Sequence, residues 1–503
     1  SLLQWFLYKK GHLDPYALTG VFDAETKDAL TFFQSSEVRF ARDSFAPLAT
    51  GTLNEHTRER IAAVSLEPEP LAAVPTLNLF QKVEESFVWT AGAALSAVPF
   101  ILSLAIILVV FRALMIVSLY LFARTRTRQR APRGYAGPAS ILIPAYNEEH
   151  NIEATLLSVI RNRDIEKEII VIDDGSTDRT AAVVKGVIAR YPEERIMLIS
   201  KKNGGKAKAL NWCIMRATHD IVVTMDGDSL FAPDALSKLV THFSDPRVGA
   251  VAGKVYTAHL RTFFDHLQAL EYLTGQNIEK TLLSSVNAVG VVPGPIGGWR
   301  KRAILRAGGF SKDTLVEDQD MTLAVLAHGY RVVYESAAIA YTETPQHLSE
   351  YLKQRFRWVY GSVQCFWKYG LTVFTRPRSG IGAFIIPNAA LYGIILPLIS
   401  PIVDLTLLWG VFNGFSGRIF YAAVLFTLVD VAYTSLALIR EKHRLQLLAF
   451  VPIVRLFSRQ ILFMVVAGSV VRAFEGKGLL WHSVRKNGEA KRLYFSNEAI
   501  ASS

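Results

Sequence analysis

The stretch EIIVIDDGSTD, residues 168–178, decides the fold. Ile169, Ile170, Val171 and Ile172 are β-branched and follow one another, so they favour a buried strand, where branched side chains fit the pleat. The run stops at Asp173 and Asp174. Gly175, Ser176, Thr177 and Asp178 then supply turn and helix-start chemistry. Working outward, ASILIPAY (139–146), IMLISKK (196–202) and DIVVTMDGDS (220–229) read as further strands. Helical patterns alternate with them at 148–162, 178–190, 206–217 and 233–243. This βαβα order predicts an α/β domain over residues 138–345, with a Rossmann-like, mostly parallel, doubly wound sheet. Ligands of such sheets sit beyond the carboxyl ends of the strands.

Those ends carry the chemistry. Asp178 reads as a helix cap, but two adjacent carboxylates, Asp173 and Asp174, exceed what a cap needs and suit the base or ribose of a nucleotide. In TMDGDS, Asp226 and Asp228 flank a glycine just after a strand, so both can face one hard cation, Mg2+ or Mn2+, which prefer oxygen ligands. In NGGKAKALN, Lys206 follows two glycines and opens a helix, a place that favours phosphate; Lys208 reads as a surface residue. In DTLVEDQDM, Glu317, Asp318 and Asp320 crowd before a helix expected from about Met321. Asp318 is the candidate general base, its pKa lifted by like charges and burial; Asp320 is expected to be solvated or capping.

LKQRFRWVYG, residues 352–361, places Gln354 and Arg357 on one helical face with Trp358 beside them. Arg357 can hold a diphosphate with both arms of its fork, and Trp358 offers a flat plate to a sugar ring. A helix lying on a membrane surface would also carry Trp and Arg.

Half of the 503 residues are hydrophobic, and the net charge is +11. The apolar excess gathers near 86–123 and after 380, with an ordinary mixed chain between: a membrane protein with a soluble domain inserted. The positive charge follows the positive-inside pattern, since Arg124, Arg126, Arg128, Arg130 and Arg133 trail the first block. No basic stripe interleaved with aromatics argues for nucleic acid, and none is expected as a partner. Cys213 and Cys365 are the only cysteines, which excludes a cysteine metal site and makes a disulfide unexpected.

Ser86–Phe111 is free of charge and the apolar run resumes at Ala113–Ala123, so residues 86–123 predict one long, tilted transmembrane helix. Two further spans are expected at 383–412 and 419–439, within a two-helix segment 383–440. Interfacial or re-entrant helices and a basic cytosolic tail follow at 445–503. Residues 346–382, with the QRFRW motif, are expected to be interfacial helices. Asp404 and Asp430 are costly in a bilayer unless they pair with a polar neighbour or line a polar path. Residues 67–85 are a Pro-rich linker. No leader pattern opens the chain, which starts as if inside a domain.

Residues 1–66 read as a small all-α domain. Gly20, Phe22, Thr26, Ala29, Phe33 and Gln34 resemble the peptidoglycan-binding-like domain of bacterial wall enzymes, which implies cell-wall glycan as a partner there. PAYNEE, DDGS, DGD, ED and QRFRW, in this order, resemble the processive, membrane-embedded family-2 glycosyltransferases, the group of the cellulose, chitin, hyaluronan and poly-N-acetylglucosamine synthases. The resemblance implies a glycosyltransferase-A fold and an inverting transfer from a UDP-sugar to a growing polysaccharide. UDP-N-acetylglucosamine is favoured, then UDP-glucose. It implies that Ala145, Tyr146 and Glu148 join Asp173 and Asp174 around uridine, and that Asp226 and Asp228 hold metal and diphosphate. Asp318 is then the base, and Gln354, Arg357 and Trp358 form the acceptor platform. GPIGGWR (294–300), with Gly294 and Trp299, matches the segment lining the acceptor pocket. Val316 departs from the pattern, since many relatives have Thr before the Glu. The implied setting is the bacterial plasma membrane, crossed several times, with the catalytic domain cytosolic, the N-terminal domain outside, and membrane lipid as a partner.

Overall fold

The computed structural model describes residues 26, 27, 30, 107, 108, 134–412, 416–440 and 445–474. The chain divides into two compact units, Ser1–Ala93 and Ala94–Ser503. Apart from those first five positions, the expectations for the N-terminal domain, the linker, the span at 86–123 and the tail beyond 474 lie outside the described residues.

The second unit is built on an eight-stranded sheet of order β3-β2-β1-β4-β7-β6-β8-β5. β1 (Ala139–Ala145), β2 (Lys167–Asp173), β3 (Ile196–Ser200) and β4 (Ile221–Thr224) run parallel. Their crossovers carry α1 (Ile152–Ile160), α2 (Thr180–Arg190) and α3 (Lys206–Arg216), close to the ranges predicted. Alternate residues of β1 and β2 point to opposite faces. Ile141, Ile143, Ile169 and Val171 join one apolar cluster with α1, while Leu142, Ile170 and Ile172 join another with α3. Cys213 and Cys365 are buried and unbridged.

Six of the eight strands run the same way, in keeping with the expected mostly parallel sheet, and the remaining half supplies the two that are reversed, β5 and β7. β7 (Gly297–Arg300) runs against both β4 and β6 (Val248–Thr257), and β5 (Ser229–Phe231) against β8 (Arg331–Thr342); only β6 and β8 are parallel. The sheet is mixed.

Helices then close over it: α4 (Ala235–Val240), α5 (Phe263–Glu271), a π-helical turn Tyr272–Ile278, α6 (Glu279–Ser285), α7 (Lys301–Arg306), α8 (Glu317–Ala327) and α9 (Leu348–Tyr369). Residues 381–412 are helical throughout, ending in α10 (Leu396–Phe412). Within them Ile381–Leu405 is the one described helix long and apolar enough to cross a membrane. α11 (Ser416–Arg440) covers the second expected span, and α12 (Val451–Phe474) follows a short 3-10 turn. α9 lies on α12: Tyr351, Phe356 and Val359 pack with Phe457, Ile461 and Val465. Asp404 on α10 is paired with Arg459 on α12 and accepts a hydrogen bond from Gln460 Nε2 at 2.6 Å.

Candidate active site

The strand ends converge on one cleft of about 790 Å3, a size ample for a nucleotide sugar. At the end of β1, Ala145, Tyr146 and Glu148 border it. Asn147 between them adopts a left-handed φ of 57°, a conformation Asn tolerates. Its Oδ1 accepts from the Thr177 amide at 2.8 Å, tying this turn to the one after β2. Asp174 borders the cleft too, and both of its carboxylate oxygens already have partners. It accepts from the Gly204 amide at 3.0 Å and the Gly205 amide at 2.8 Å, and pairs with Lys201. Asp173 accepts from the Ser176 amide at 2.9 Å and is 5% exposed.

Beyond β4 the charges gather. Lys206, at the start of α3, reaches across to Asp226 Oδ1 at 2.7 Å and Glu317 Oε1 at 2.8 Å. Burial opposes the ammonium charge, but Asp226, Glu317 and Asp318 outweigh it and hold Lys206 protonated well above the usual lysine range. Gly294 makes the approach possible. A Cβ there would lie 2.8 Å from Lys206 Nζ and 2.9 Å from Asp226 Oδ2. Its amide donates to Asp318 Oδ2 at 3.3 Å, and the Gln319 amide to Oδ1 at 2.8 Å. α8 begins at Glu317, four residues earlier than expected, so both acids stand in a first turn, where the helix dipole favours them. Burial, then the neighbouring Glu317 charge, raises the Asp318 pKa to about 6, with Lys206 pulling the other way. That places its acid–base switch close to neutral pH, as a general base requires.

The opposite wall comes from α9. Gln354, Arg357 and Trp358 all border the cleft, and Trp358 also packs on both core clusters. Ser362, one turn on, donates to Gln319 Oε1 at 2.8 Å, joining α9 to α8 beside Asp318.

With this geometry in view, residues 136–361 match the family model described as glycosyltransferase like family 2. These residues form a glycosyltransferase family 2 domain. Over 223 residues the chain is 31% identical to the poly-beta-1,6-N-acetyl-D-glucosamine synthase of Staphylococcus aureus (strain COL), covering 44% of this chain and 54% of that protein. The synthase of the same name from Staphylococcus epidermidis is 30% identical over the same length. The chain thus spans about half the length of the curated relatives it matches. Among solved structures, a mannosyltransferase from Pyrobaculum calidifontis in complex with GDP-Man and Mn2+ superposes with a TM-score of 0.53 at 21% identity, over 73% of this chain and all of that one. It shares the fold.

In the transferase domain, two expected positions sit back from the cleft. Trp299 is 1% exposed in β7, its Nε1 donating to Thr224 Oγ1 at 3.1 Å and its ring set edge-on to Phe310; it forms the floor beneath Asp226 and Lys206, not a wall. Asp173 is likewise turned to its own turn. Asp320, expected to be solvated or capping, is 2% exposed and accepts from Tyr369 Oη at 2.7 Å and Lys368 Nζ at 2.9 Å, bolting the end of α9 to α8. Among the cleft residues that the sequence did not mark are Tyr272 in the π-turn, and Phe384, Ile385 and Asn388 on the apolar helix. Hydropathy alone marks that helix as membrane, and the Asn within it was the available signal. As for a cation, Asp226 and Asp228 are hard oxygen donors two residues apart in the turn between β4 and β5, the ligand type Mg2+ or Mn2+ takes, and Asp226 already accepts one cationic group, the Lys206 ammonium; among the described residues no group of three or more such donors gathers, so substrate oxygens would have to complete the set.

Proposed function

We propose that the protein is an inverting, processive β-glycosyltransferase that polymerises sugar from a UDP-sugar, UDP-N-acetylglucosamine before UDP-glucose, and passes the product across a membrane. One observation carries the reading: Asp226, Asp228, Asp318, Gln354, Arg357 and Trp358, drawn from three separate regions of sequence, border a single cleft. The names of the similar staphylococcal synthases support N-acetylglucosamine as the sugar.

The acceptor hydroxyl attacks the anomeric carbon of the donor on the face opposite the leaving group. The new C–O bond forms as the bond to the diphosphate breaks. Asp318 takes the hydroxyl proton, UDP departs, and the configuration inverts. Arg357 and Lys206 are placed to meet the phosphate oxygens, and Trp358 to support the acceptor ring. A divalent cation, as in the mannosyltransferase solved with Mn2+, would be held by Asp226 and Asp228 and would neutralise the leaving diphosphate. Ala145, Tyr146, Glu148 and Asp174 form the nucleoside end, Asp173 holds the turn behind them, and Gly294 forms the floor between donor and acceptor.

Membrane lipid as a partner is supported by Ile381–Leu405 and by apolar side chains left exposed on the later helices, among them Leu405, Tyr421, Leu428 and Leu436. Trp367, Leu371 and Phe374 also stand out beside Arg376, a composition suited to a bilayer interface. The peptidoglycan-binding-like segment at 1–66 would then meet wall glycan on the far side.

The test is turnover of the purified chain against a panel of labelled UDP-sugars with Mg2+ or Mn2+, the product being sized and digested with linkage-specific hydrolases. A long polymer from UDP-N-acetylglucosamine is expected. Single-sugar products would end the processive reading, and no UDP release from any donor would end the transferase reading.

A further inference from the structure

Arg355, inside the QRFRW motif, turns away from the cleft that its neighbours border. Its guanidinium carbon lies 4.6 Å from the ring centre of Tyr351 and 4.6 Å from that of Trp358, so the cation is sandwiched between two aromatic faces at helical spacing along α9. The same guanidinium is ion-paired with Glu271 and reaches Gln268 Oε1 at 3.4 Å. Glu271 holds both layers, since its Oε1 accepts from Tyr351 Oη at 3.0 Å. Gln268 donates to Tyr272 Oη at 2.9 Å, and Tyr272 borders the cleft. α5, which carries Gln268 and Glu271, is itself fixed by a Thr262–Asp265 capping box, and Asp265 is bonded to Thr344 just past the end of β8.

Resting on the transferase reading above, we infer that Arg355 is a positioning residue that backs the Trp358 plate and, through Glu271 and Gln268, sets it against Tyr272, so that the acceptor sugar meets a rigid aromatic wall. Three features carry this. One face of the Trp358 indole is taken by a planar cation, which leaves the rest of the ring for the cleft. The guanidinium cannot slide, because Glu271 holds its far end. The chain of contacts also ends on a second cleft residue, which links the setting of the indole to that of the phenol. A loosely held indole would still bury apolar area but would present it in many orientations, and misplacement of a reacting group is costly.

The experiment uses the full chain with UDP-N-acetylglucosamine as donor and an N-acetylglucosamine oligosaccharide as acceptor, measuring the apparent KM for each separately. R355M is expected to raise the acceptor KM about tenfold while the donor KM stays at the wild-type value. E271Q, which keeps the acceptor for Tyr351 but loses the ion pair, should shift the same constant in the same direction by less, and it carries the test if R355M does not fold. R355K, whose ammonium can still stack, should recover part of the loss. W358A should raise the acceptor KM at least as far as R355M. Wild-type acceptor KM in both R355M and E271Q, with W358A impaired, overturns the positioning role and leaves the transferase reading standing. Donor and acceptor constants rising together would mark a merely structural residue and also overturn it. A wild-type chain inactive with every donor overturns the reading beneath.

Discussion

Gly361 on α9 lies flush against Val316, the residue before Glu317: a Cβ there would come within 2.7 Å of both Val316 methyl carbons. This contact sets how closely the helix bearing Arg357 and Trp358 approaches the turn bearing Asp318. G361A should therefore overpack the seam and cost about 1–3 kcal/mol of stability. It should also lower kcat more than a remote mutation of equal thermal cost, because it moves one wall of the cleft from the other. Adding V316A should restore both, read by thermal unfolding and turnover of the double variant.

Asp318 titrates at about 6 because burial and Glu317 disfavour its ionised form. As a base it must be ionised, so kcat/KM should rise as pH passes upward through about 6. D318N should flatten that limb and lower the rate by about two to four decades. The linked stability has the opposite sign. With the folded pKa above the unfolded one, the contribution is present below the unfolded value and lost as pH climbs to about 6. D318N should remove this loss, checked by denaturant unfolding at several pH values.

Chelation of divalent ions should abolish turnover, and Mn2+ or Mg2+ should restore it. G294A pushes a methyl group toward Lys206 and Asp226, which lie 2.8 and 2.9 Å from its position. It should weaken both Mn2+ binding, followed by the electron paramagnetic resonance of the free ion, and donor affinity, about tenfold each. Unaltered Mn2+ binding would disconnect Gly294 from the cation site.

Asp404 is paired with Arg459 and Gln460 between α10 and α12. D404A leaves an arginine unmatched where apolar helices meet. It should lower the melting temperature of the detergent-solubilised protein, and the exchanged pair D404R with R459D should regain part of it. Equal melting temperatures in wild type and D404A would show that the pair contributes nothing.

The parallel half of the sheet was legible because its strands are β-branched runs separated by helical patterns, and each acidic strand end fell where the motif predicted. β7 was not, since GGWR opens with two glycines and has only Trp299 to favour a strand; its neighbours β4 and β6 make it one. The start of α8 was misplaced because three acids within Glu317–Asp320 read as a solvated loop, whereas Lys206 and Lys368 arrive from distant sequence to pair with Glu317 and Asp320, and Tyr369 adds a hydrogen bond to Asp320. Arg355 could be named but not assigned: Tyr351 and Trp358 at helical spacing were visible, and Glu271 on another helix was not.

Asp174 has a consequence for how such a pocket can change. Its two oxygens are spent on the Gly204 and Gly205 amides and on Lys201, at the threshold of the helix that begins with Lys206. On the proposed reading, a replacement of Asp174 that retuned the nucleoside end would also loosen the turn from which Lys206 projects. Base preference and grip on the diphosphate would then be mechanically geared together, and a switch of donor would have to alter both at once.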